Sequence, residues 1–515
     1  MSAKVFVFGV DSMDPRLIQD WIGSGHLPNL SRLRDRSAWS PVLGSPRFFS
    51  AAKWTSFHTG VSPARHGQYM RTLYDPNTCV HRPFRPASSV RPFWSGPEWR
   101  AKRTAILNVP FCALDEGISG LQVVDWSVHD RLEEVVRTAP FELGRDVLSA
   151  YQNEPFTSCL ATEPTTAGFA QLRDQLIRWV RRKRDLTCRL VAGDRWDLFV
   201  SVFDETHCAG HLFWQMHDAT HPRHDPDSHA TLRHALRDVY SEVDSALGAI
   251  VGLLDPESTI VFLTCDGMGP AHDAVTVLDE ILRRLDGLPP RAADYEEARA
   301  RQLARLGDVS KRMPRVAQRA LAAPRRWLGR GRLGDRLRDE RRRRRCFWFP
   351  TQHFLGGIRI NLAGREASGI VRPGPECEKF IEQLTADLYQ LRDGRSGQPI
   401  VSEVVRSTDA KEGCFAGEPP DLIVQWSKAA LSWVESPKIG RLQPPSISTA
   451  DHDPEVRGLF FAAGPRSTAG ELADPVHIED FAPTISHLLD VDLVDTEGAS
   501  IPTVCGARFG RASAR

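Results

Sequence analysis

Residues 196–207 read WDLFVSVFDETH, an apolar run that ends in two acids, a threonine and a histidine. A short apolar run rich in β-branched and aromatic residues and bounded by polar ones is typical of a buried strand. Two other segments have the same form, residues 4–11 (KVFVFGVD) and residues 258–266 (STIVFLTCD). The three runs therefore predict buried strands that each deliver an acid at the carboxyl end.

Stretches with a helical pattern lie between these strands, over residues 170–191 and 229–254. Alternating strands and helices predict an α/β fold with a mostly parallel central sheet, covered by helices on both faces. Ligands of such sheets bind beyond the carboxyl ends of the strands, so Asp11, the 204–207 group and Asp266 are expected at one edge. Any one of these acids alone is more simply a cap or turn residue.

The length of 515 residues suggests one large α/β domain with insertions, or two domains. The net charge of +1 hides a basic segment, because residues 311–345 hold 15 Lys and Arg against 3 Asp and Glu. We predict three divisions: a first core part over 1–284, an insertion over 285–400 with a basic helical segment (285–345) and a small subsidiary sheet, and a closing core part over 401–515.

The Arg-rich segment is interpreted as a solvated charged surface, with Arg341–Arg345 exposed. Contact with an anionic surface is the alternative. No motif for sequence-specific nucleic-acid binding accompanies it, and nothing else in the sequence favours such a partner.

Three kinds of sequence signal that the chain lacks bear on where in the cell the protein is located. The first residues lack the pattern of a signal peptide, and no window reaches the ~18 apolar residues of a transmembrane segment. The ten cysteines are scattered singly without a CxxC pair, which is typical of reduced thiols. Together these features predict a cytoplasmic location.

The stretch most informative about chemistry is SAAKWTSFHTGVSPARHG at residues 50–67. It resembles the nucleophile segment of the type I phosphodiesterase/nucleotide pyrophosphatase family, within the alkaline phosphatase superfamily. That family carries Ser or Thr ten residues before the Gly of its Thr-Gly pair, which is Ser50 before Gly60 here. The resemblance implies that Ser50 is the nucleophile, at a helix start whose N–H groups favour an incoming anion. A helix-capping role is compatible with this.

Lys53 stands where nucleotide pyrophosphatases often carry an Asn that binds the phosphoryl oxygens. The resemblance implies that Lys53 supplies a positive charge to the same oxygens. The alternative is a surface lysine on the first helical turn.

His207 and His211 are one helical turn apart and so project from one face of a helix. They resemble the family's metal-binding Asp and His, with His207 in place of the Asp; Asp204 or Glu205 is expected to supply the missing charge. His452, within STADHDP at residues 448–454, resembles the late His of the family. The resemblance implies a first metal bound by His207, His211 and His452.

The segment TCDGMG at residues 264–269 resembles the family's Asp-His-Gly, with Gly267 where the His is expected. The resemblance implies a second metal surrounded by Asp11, Ser50 and Asp266, although Gly267 leaves it weak, differently bound or absent. A Gly-rich turn after a strand is the alternative. Three imidazoles suit zinc and the oxygen-rich half suits manganese, so one or two divalent ions are expected, zinc above all.

The resemblance implies a metal-dependent hydrolase of phosphate esters, of the phosphodiesterase/pyrophosphatase type. Its substrate would be a small anionic phosphate ester, and Ser50 would form a phospho-enzyme. The alternatives on the same site are a phosphomonoesterase, a phosphonate or sulfate ester hydrolase, and a phosphoryl transferase. Ser50 lacks the Cys/Ser-x-Pro-x-Arg context of sulfatases. A non-catalytic member with a degraded second metal site is a further alternative.

Overall fold

The computed structural model describes residues 3–44, 50–68, 72–77, 80–83, 90–126, 136–150, 165–221, 224–227, 230–270, 274–289, 340, 342–351, 355–407, 420–427, 431–444, 450–493 and 495–506. Across these ranges, no helix combines the length and the apolar character needed to cross a bilayer.

The fold is α/β and its central sheet is mostly parallel, as predicted. Its strands are β1 (Ala3–Val10), β2 (Ala38–Leu43), β5 (Thr104–Leu107), β6 (Gly120–Val124), β7 (Arg137–Ala139), β8 (Trp196–Phe203), β9 (Thr259–Pro270), β17 (Ala450–Ala463), β18 (Gly470–Glu471) and β19 (Val476–His477). They lie in the order β18-β2-β17-β9-β1-β8-β5-β6-β7, and β19 also pairs with β2. The neighbours from β9 to β6 are parallel, whereas β17 runs antiparallel to both β9 and β2.

Helices cover both faces of this sheet. Those of the described chain are α1 (Pro15–Gly23), α2 (Pro28–Arg34), α3 (Ser50–Thr59), α4 (Pro63–His66), α5 (Leu143–Ala150), α6 (Thr166–Gly193), α7 (Glu205–His217), α8 (Ala235–Val251), α9 (Ala274–Leu285), α10 (Pro375–Leu388), α11 (Phe481–Leu488) and α12 (Pro502–Cys505). One apolar core joins the sheet to α1, α2, α6, α7 and α8, and a second joins it to α3, α11 and α12. The two cores explain why β1 and β8 are apolar almost throughout: each is buried from both sides.

A smaller antiparallel sheet has the order β10-β11-β14-β13 and packs against α9 and α10. Its strands are β10 (Cys346–Phe349), β11 (Leu355–Ile360), β13 (Val401–Arg406) and β14 (Leu422–Trp426). The remaining strands form a three-stranded sheet and a hairpin: β12 (Arg392–Asp393), β15 (Val434–Ser436), β16 (Gly440–Leu442), β3 (Thr72–Asp75) and β4 (Val80–Pro83). The subsidiary sheet thus draws strands from both sides of residue 400, where we placed a division.

Most of the Arg-rich segment, residues 290–339 and 341, lies outside the described residues. Arg344 is described, and the prediction that Arg341–Arg345 are exposed is wrong for it. Its side chain is buried and pairs with Asp279 at 2.9 Å. Arg345 pairs with Asp286 at 2.7 Å. These two arginines stabilise the junction with α9, since both of their acidic partners belong to that helix or its end.

Candidate metal centre

Three histidines meet at the carboxyl edge of the central sheet. Strand β8 ends at Phe203 and α7 starts two residues later, so that His207 and His211 occupy its first two turns. His452 comes from β17, where it pairs in register with Met268 of β9. All three side chains are buried, and one ligand atom from each lies within 4.8 Å of the others. The structure thus brings together the three residues that the family resemblance assigned to the first metal.

The Nε2 atoms of these rings face one another. His207 Nε2 lies 2.8 Å from His211 Nε2 and 3.2 Å from His452 Nε2. The Nδ1 atoms face outward to oxygen atoms instead. His207 Nδ1 is 2.8 Å from Asp11 Oδ2, and His211 Nδ1 is 2.7 Å from the carbonyl oxygen of Ala450. His452 Nδ1 lies 3.1 Å from Ser12 Oγ and 3.2 Å from Asp266 Oδ2.

This orientation assigns the ring protons, because carboxylate and carbonyl oxygens accept hydrogen bonds. Each Nδ1 then carries a proton, and the neutral form of each ring presents its Nε2 lone pair to the middle of the cluster. Lone pairs that face one another repel unless a cation lies between them. That cation is either a metal ion or a proton on His452, because the effect of burial is outweighed by Asp266, which raises the pKa of His452 to about 9. Outer acceptors that fix the histidine tautomer are the usual surroundings of metal-binding imidazoles. The three histidines therefore fit a single divalent ion.

Asp11 and Asp266 lie directly behind this cluster. Asp11 follows β1 and accepts a hydrogen bond from Trp54 Nε1 at 2.9 Å on its other oxygen. Asp266 lies within β9 and accepts one from Ser12 Oγ at 3.0 Å. The alternative prediction of a Gly-rich turn within residues 264–269 is wrong, because β9 continues to Pro270 through its antiparallel pairing with β17.

Burial and charge set the protonation of these groups. Burial, followed by the charge of Asp266, raises the pKa of Asp11 to about 7. Burial also opposes the ionised form of Asp266, but Lys53 and His452 outweigh it and hold the pKa of that carboxyl below its ordinary value. Burial lowers the pKa of His211 well below its ordinary value, so this ring is neutral and can bind a metal.

Gly267 occupies a closed space. A Cβ atom added there would lie 2.5 Å from Asp14 Oδ2 and 2.5 Å from Val456 Cγ1. Asp14 cannot easily give way, because it caps α1, accepts from Met268 N at 2.9 Å and pairs with Arg16 at 2.7 Å. A side chain at the position where the family carries its second-metal histidine would therefore have to displace Asp14 or Val456.

That Asp204 or Glu205 supplies charge to the histidines stays a prediction, and the structure gives both acids a cationic partner of their own. Both carboxylates pair with the buried Lys183 of α6, with Glu205 Oε1 at 3.0 Å from its Nζ. Asn108 also contacts Asp204. A buried carboxylate needs a nearby cation more than an outward-facing one does, and Lys183 is the cation that the fold places there. The carboxylate that contacts His207 is Asp11.

Lys53 lies on α3 and approaches the site beside Asp266. Its side chain is buried, so the surface-lysine alternative is wrong, and Nζ is 3.6 Å from Asp266 Oδ2. It also lines a cavity of about 350 Å³ between the central and subsidiary sheets, together with Val42, Leu43, Gly44, Cys265, Leu355, Gln425, Glu455, Val456 and Arg457. Ser50 is the first residue of α3, as predicted; its side chain lies outside what the structure describes.

Three contributors to the site were missed by sequence reasoning: Ser12, Trp54 and Lys183. Ser12 directly follows Asp11 at a strand end, a position that could have drawn attention to it. Lys183 lies among Trp179, Val180 and Leu186 on the buried face of α6. A lysine at an apolar-face position is the signal that could have found it.

Comparison of the sequence with models of protein families gives a match. The sequence model of the type I phosphodiesterase / nucleotide pyrophosphatase family matches residues 5–337. The chain belongs to this family. The match includes the predicted nucleophile segment, the His207–His211 pair and Asp266. No curated protein sequence matches the chain.

Comparison with solved structures gives matches at low identity, one of them with a TM-score just above 0.5. Phosphonoacetate hydrolase from Sinorhizobium meliloti 1021, in complex with phosphonoacetate, superposes with a TM-score of 0.51 at 12% identity, covering 95% of this chain and 96% of that one. Human ectonucleotide pyrophosphatase / phosphodiesterase 5 gives a TM-score of 0.48 at 11% identity, covering 96% and 97%. Identities this low speak for the architecture alone.

Proposed function

We propose that this member of the type I phosphodiesterase/nucleotide pyrophosphatase family is a metal-dependent phosphoric ester hydrolase of the phosphodiesterase/pyrophosphatase type. The observation that carries the proposal is the convergence of three histidine Nε2 atoms while each Nδ1 faces an outer oxygen. Family membership supplies the reaction class. Imidazole ligands favour zinc, with manganese as the alternative.

His207, His211 and His452 would hold the ion, and Asp11, Asp266 and the Ala450 carbonyl would orient them. The ion would act as a Lewis acid toward a phosphoryl oxygen. Ser50 would give up its Oγ proton to water and attack phosphorus, so that its Oγ–P bond forms as the bond to the leaving oxygen breaks. A water molecule would then attack phosphorus, which breaks the Oγ–P bond and returns a proton to Ser50. Lys53 would bind a phosphoryl oxygen through its ammonium.

The test is turnover of aryl phosphodiesters and aryl phosphomonoesters by the zinc-loaded protein. We expect Ser50→Ala to lower turnover by at least about 10³-fold, as loss of a covalent nucleophile does. Ser62→Ala is the matched control, because Ser62 precedes α4 and its side chain caps no backbone group. Turnover that is unchanged in Ser50→Ala would reject the assigned nucleophile.

The choice of preferred ester decides among the related activities. Faster turnover of monoesters would favour a phosphomonoesterase, and transfer to an added alcohol in place of water would favour a transferase. Activity on phosphonates or sulfate esters alone would favour those hydrolases. Metal content without turnover on any of these esters would support a non-catalytic member. The cytoplasmic location and the contact of residues 311–345 with an anionic surface stay predictions.

A further inference from the structure

We propose that this centre works with one divalent ion, and that the Lys53 ammonium supplies the positive charge on the Asp266 side where the family resemblance implied a second metal. The inference rests on the proposed function. It concerns which cations the site contains, and three observations in the described residues carry it.

The first observation is the space around Gly267. This residue offers no ligand atom, and the Cβ of any replacement would lie within 2.5 Å of Asp14 Oδ2 and Val456 Cγ1. Asp14 is held in place from three sides, by the first turn of α1, by Arg16 and by the backbone N–H of Met268. The space that a ligand side chain at position 267 would enter is therefore occupied by Asp14, which is fixed by its salt bridge to Arg16.

The second observation is what the two remaining carboxylates contact. Both oxygens of Asp11 accept from ring N–H groups, Trp54 Nε1 at 2.9 Å and His207 Nδ1 at 2.8 Å. Asp266 Oδ1 accepts from Ser12 Oγ at 3.0 Å. Through these contacts Asp11 orients His207, and Ser12 connects Asp266 to His452, so both carboxylates already serve the histidine cluster.

The third observation is the position of Lys53. Asp266 Oδ2 has no aligned hydrogen bond within the described chain, yet it lies 3.6 Å from Lys53 Nζ and 3.2 Å from His452 Nδ1. The Lys53 stem passes close to Gly44, where an added Cβ would be 3.1 Å from its Cγ. An ammonium that balances Asp266 and also lines the cavity is placed to face both the carboxylate and an entering anion.

These observations describe a centre with two different cationic groups. The ion held by three imidazoles is exchangeable, whereas the ammonium is a permanent part of the chain. A phosphoryl group that enters from the cavity would meet both, since Lys53 lies between the cavity and Asp266.

The first part of the test counts metal and needs no substrate. The full chain is stripped with a chelator, titrated with Zn²⁺ or Mn²⁺ by calorimetry, and checked by elemental analysis after gel filtration. We expect one equivalent in the wild type and in Lys53→Ala, and less than about a tenth of an equivalent in His211→Ala. Two equivalents in the wild type would overturn the proposal.

The second part asks whether the ammonium itself acts. We expect Lys53→Ala to lower turnover of an aryl phosphodiester by about 10²–10³-fold, as loss of one oxyanion-stabilising group does. Added n-propylammonium should restore at least about tenfold in that variant, because the truncation enlarges a cavity open to small amines. Lys379→Ala is the matched control, an exposed lysine on α10 whose loss should change turnover less than about twofold.

The outcomes separate the two proposals. Loss of turnover in Lys53→Ala without amine rescue, at unchanged metal content, would assign Lys53 a structural role and overturn this inference. A loss of less than about threefold would overturn it as well. A wild type that binds one equivalent but hydrolyses no phosphate ester would refute the proposed function, while the count of one ion would still hold.

Discussion

Each half of the centre departs from the family pattern at a position where a metal ligand is expected, and these two departures have opposite effects. In the histidine half, His207 replaces an acid but still points a ring nitrogen at His211 and His452. In the carboxylate half, Gly267 replaces a histidine, and Asp14 and Val456 have closed the space. A replaced ligand thus leaves a candidate metal site complete only where the new residue has a donor atom and the neighbours leave room for it.

The largest predicted effect distinguishes the histidine half of the centre from the carboxylate half. His211→Ala should remove the bound ion and lower turnover by at least about 10³-fold, since metal ions supply several kcal/mol of transition-state stabilisation. Asp266→Asn should retain the ion and cost about 10–100-fold, the usual effect of an outer partner. Elemental analysis and steady-state kinetics measure both. Equal loss of metal from the two variants would erase the distinction between the halves.

A second prediction concerns the acids behind the histidine half. Lys183→Met should leave Asp204 and Glu205 as buried, unpaired carboxylates and lower the free energy of unfolding by about 3–5 kcal/mol. Zinc content of the folded protein should be unchanged, because the carboxylate that pairs with His207 is Asp11. Urea denaturation measures the stability. Arg181→Met is the control from the same helix, since its pairing with Glu242 is exposed and should cost less than about 1 kcal/mol. A similar small cost at Lys183 would contradict the buried triad.

A third prediction probes the closed space of the carboxylate half. Gly267→Ala should lower the free energy of unfolding by about 1–3 kcal/mol through overpacking against Asp14 and Val456. Gly23→Ala is its counterpart, because an added Cβ there meets nothing within 4 Å. Thermal and urea denaturation of the two variants give the difference. A stability equal to wild type in Gly267→Ala would show that the space can open and would weaken the one-ion proposal.

The smallest effect contrasts the converging histidines with one buried elsewhere. Burial lowers the pKa of His58 to about 3, and neither ring nitrogen has a hydrogen-bond partner in the described chain. The unfolded chain therefore binds more protons than the folded one between about pH 3 and 6.5. Stability present above pH 6.5 is lost as the pH falls, by about 1 kcal/mol between pH 7 and 5.5. His58→Leu should flatten this part of the urea-measured pH profile. An unchanged slope would mean that His58 titrates normally.

Sequence reasoning predicted the parts of the fold that local pattern encodes. The predicted strand at 196–203 matches β8, because a strand buried on both faces is apolar without interruption. The strand predicted within residues 258–266 ended too early, since β9 extends to Pro270 by pairing with β17, a partner that no local pattern reveals. Helical spacing likewise indicated His207 and His211 as a pair.

The contacts that decide the chemistry could not be predicted in the same way. That Asp204 and Glu205 pair with Lys183 depends on how α6 packs beside β8, and the sequence carries only a lysine on an apolar face. That Gly267 is closed in depends on Asp14 and Val456, which come from two distant segments. Such facts follow from tertiary packing, which single residue patterns do not encode.

The position of β17 has a consequence for when the proposed ion could bind during synthesis. His452 is 245 positions after His207 in the chain and reaches the cluster only when β17 inserts between β2 and β9. Domains emerge from the ribosome in amino-to-carboxyl order, and contacts between distant segments form slowly. A nascent chain that ends before β17 would offer two imidazoles, one open edge of β9, and a β2 segment that still lacks its partners β17, β18 and β19. Binding of the ion should therefore occur only after β17 has inserted between β2 and β9, and it can be used to measure that step.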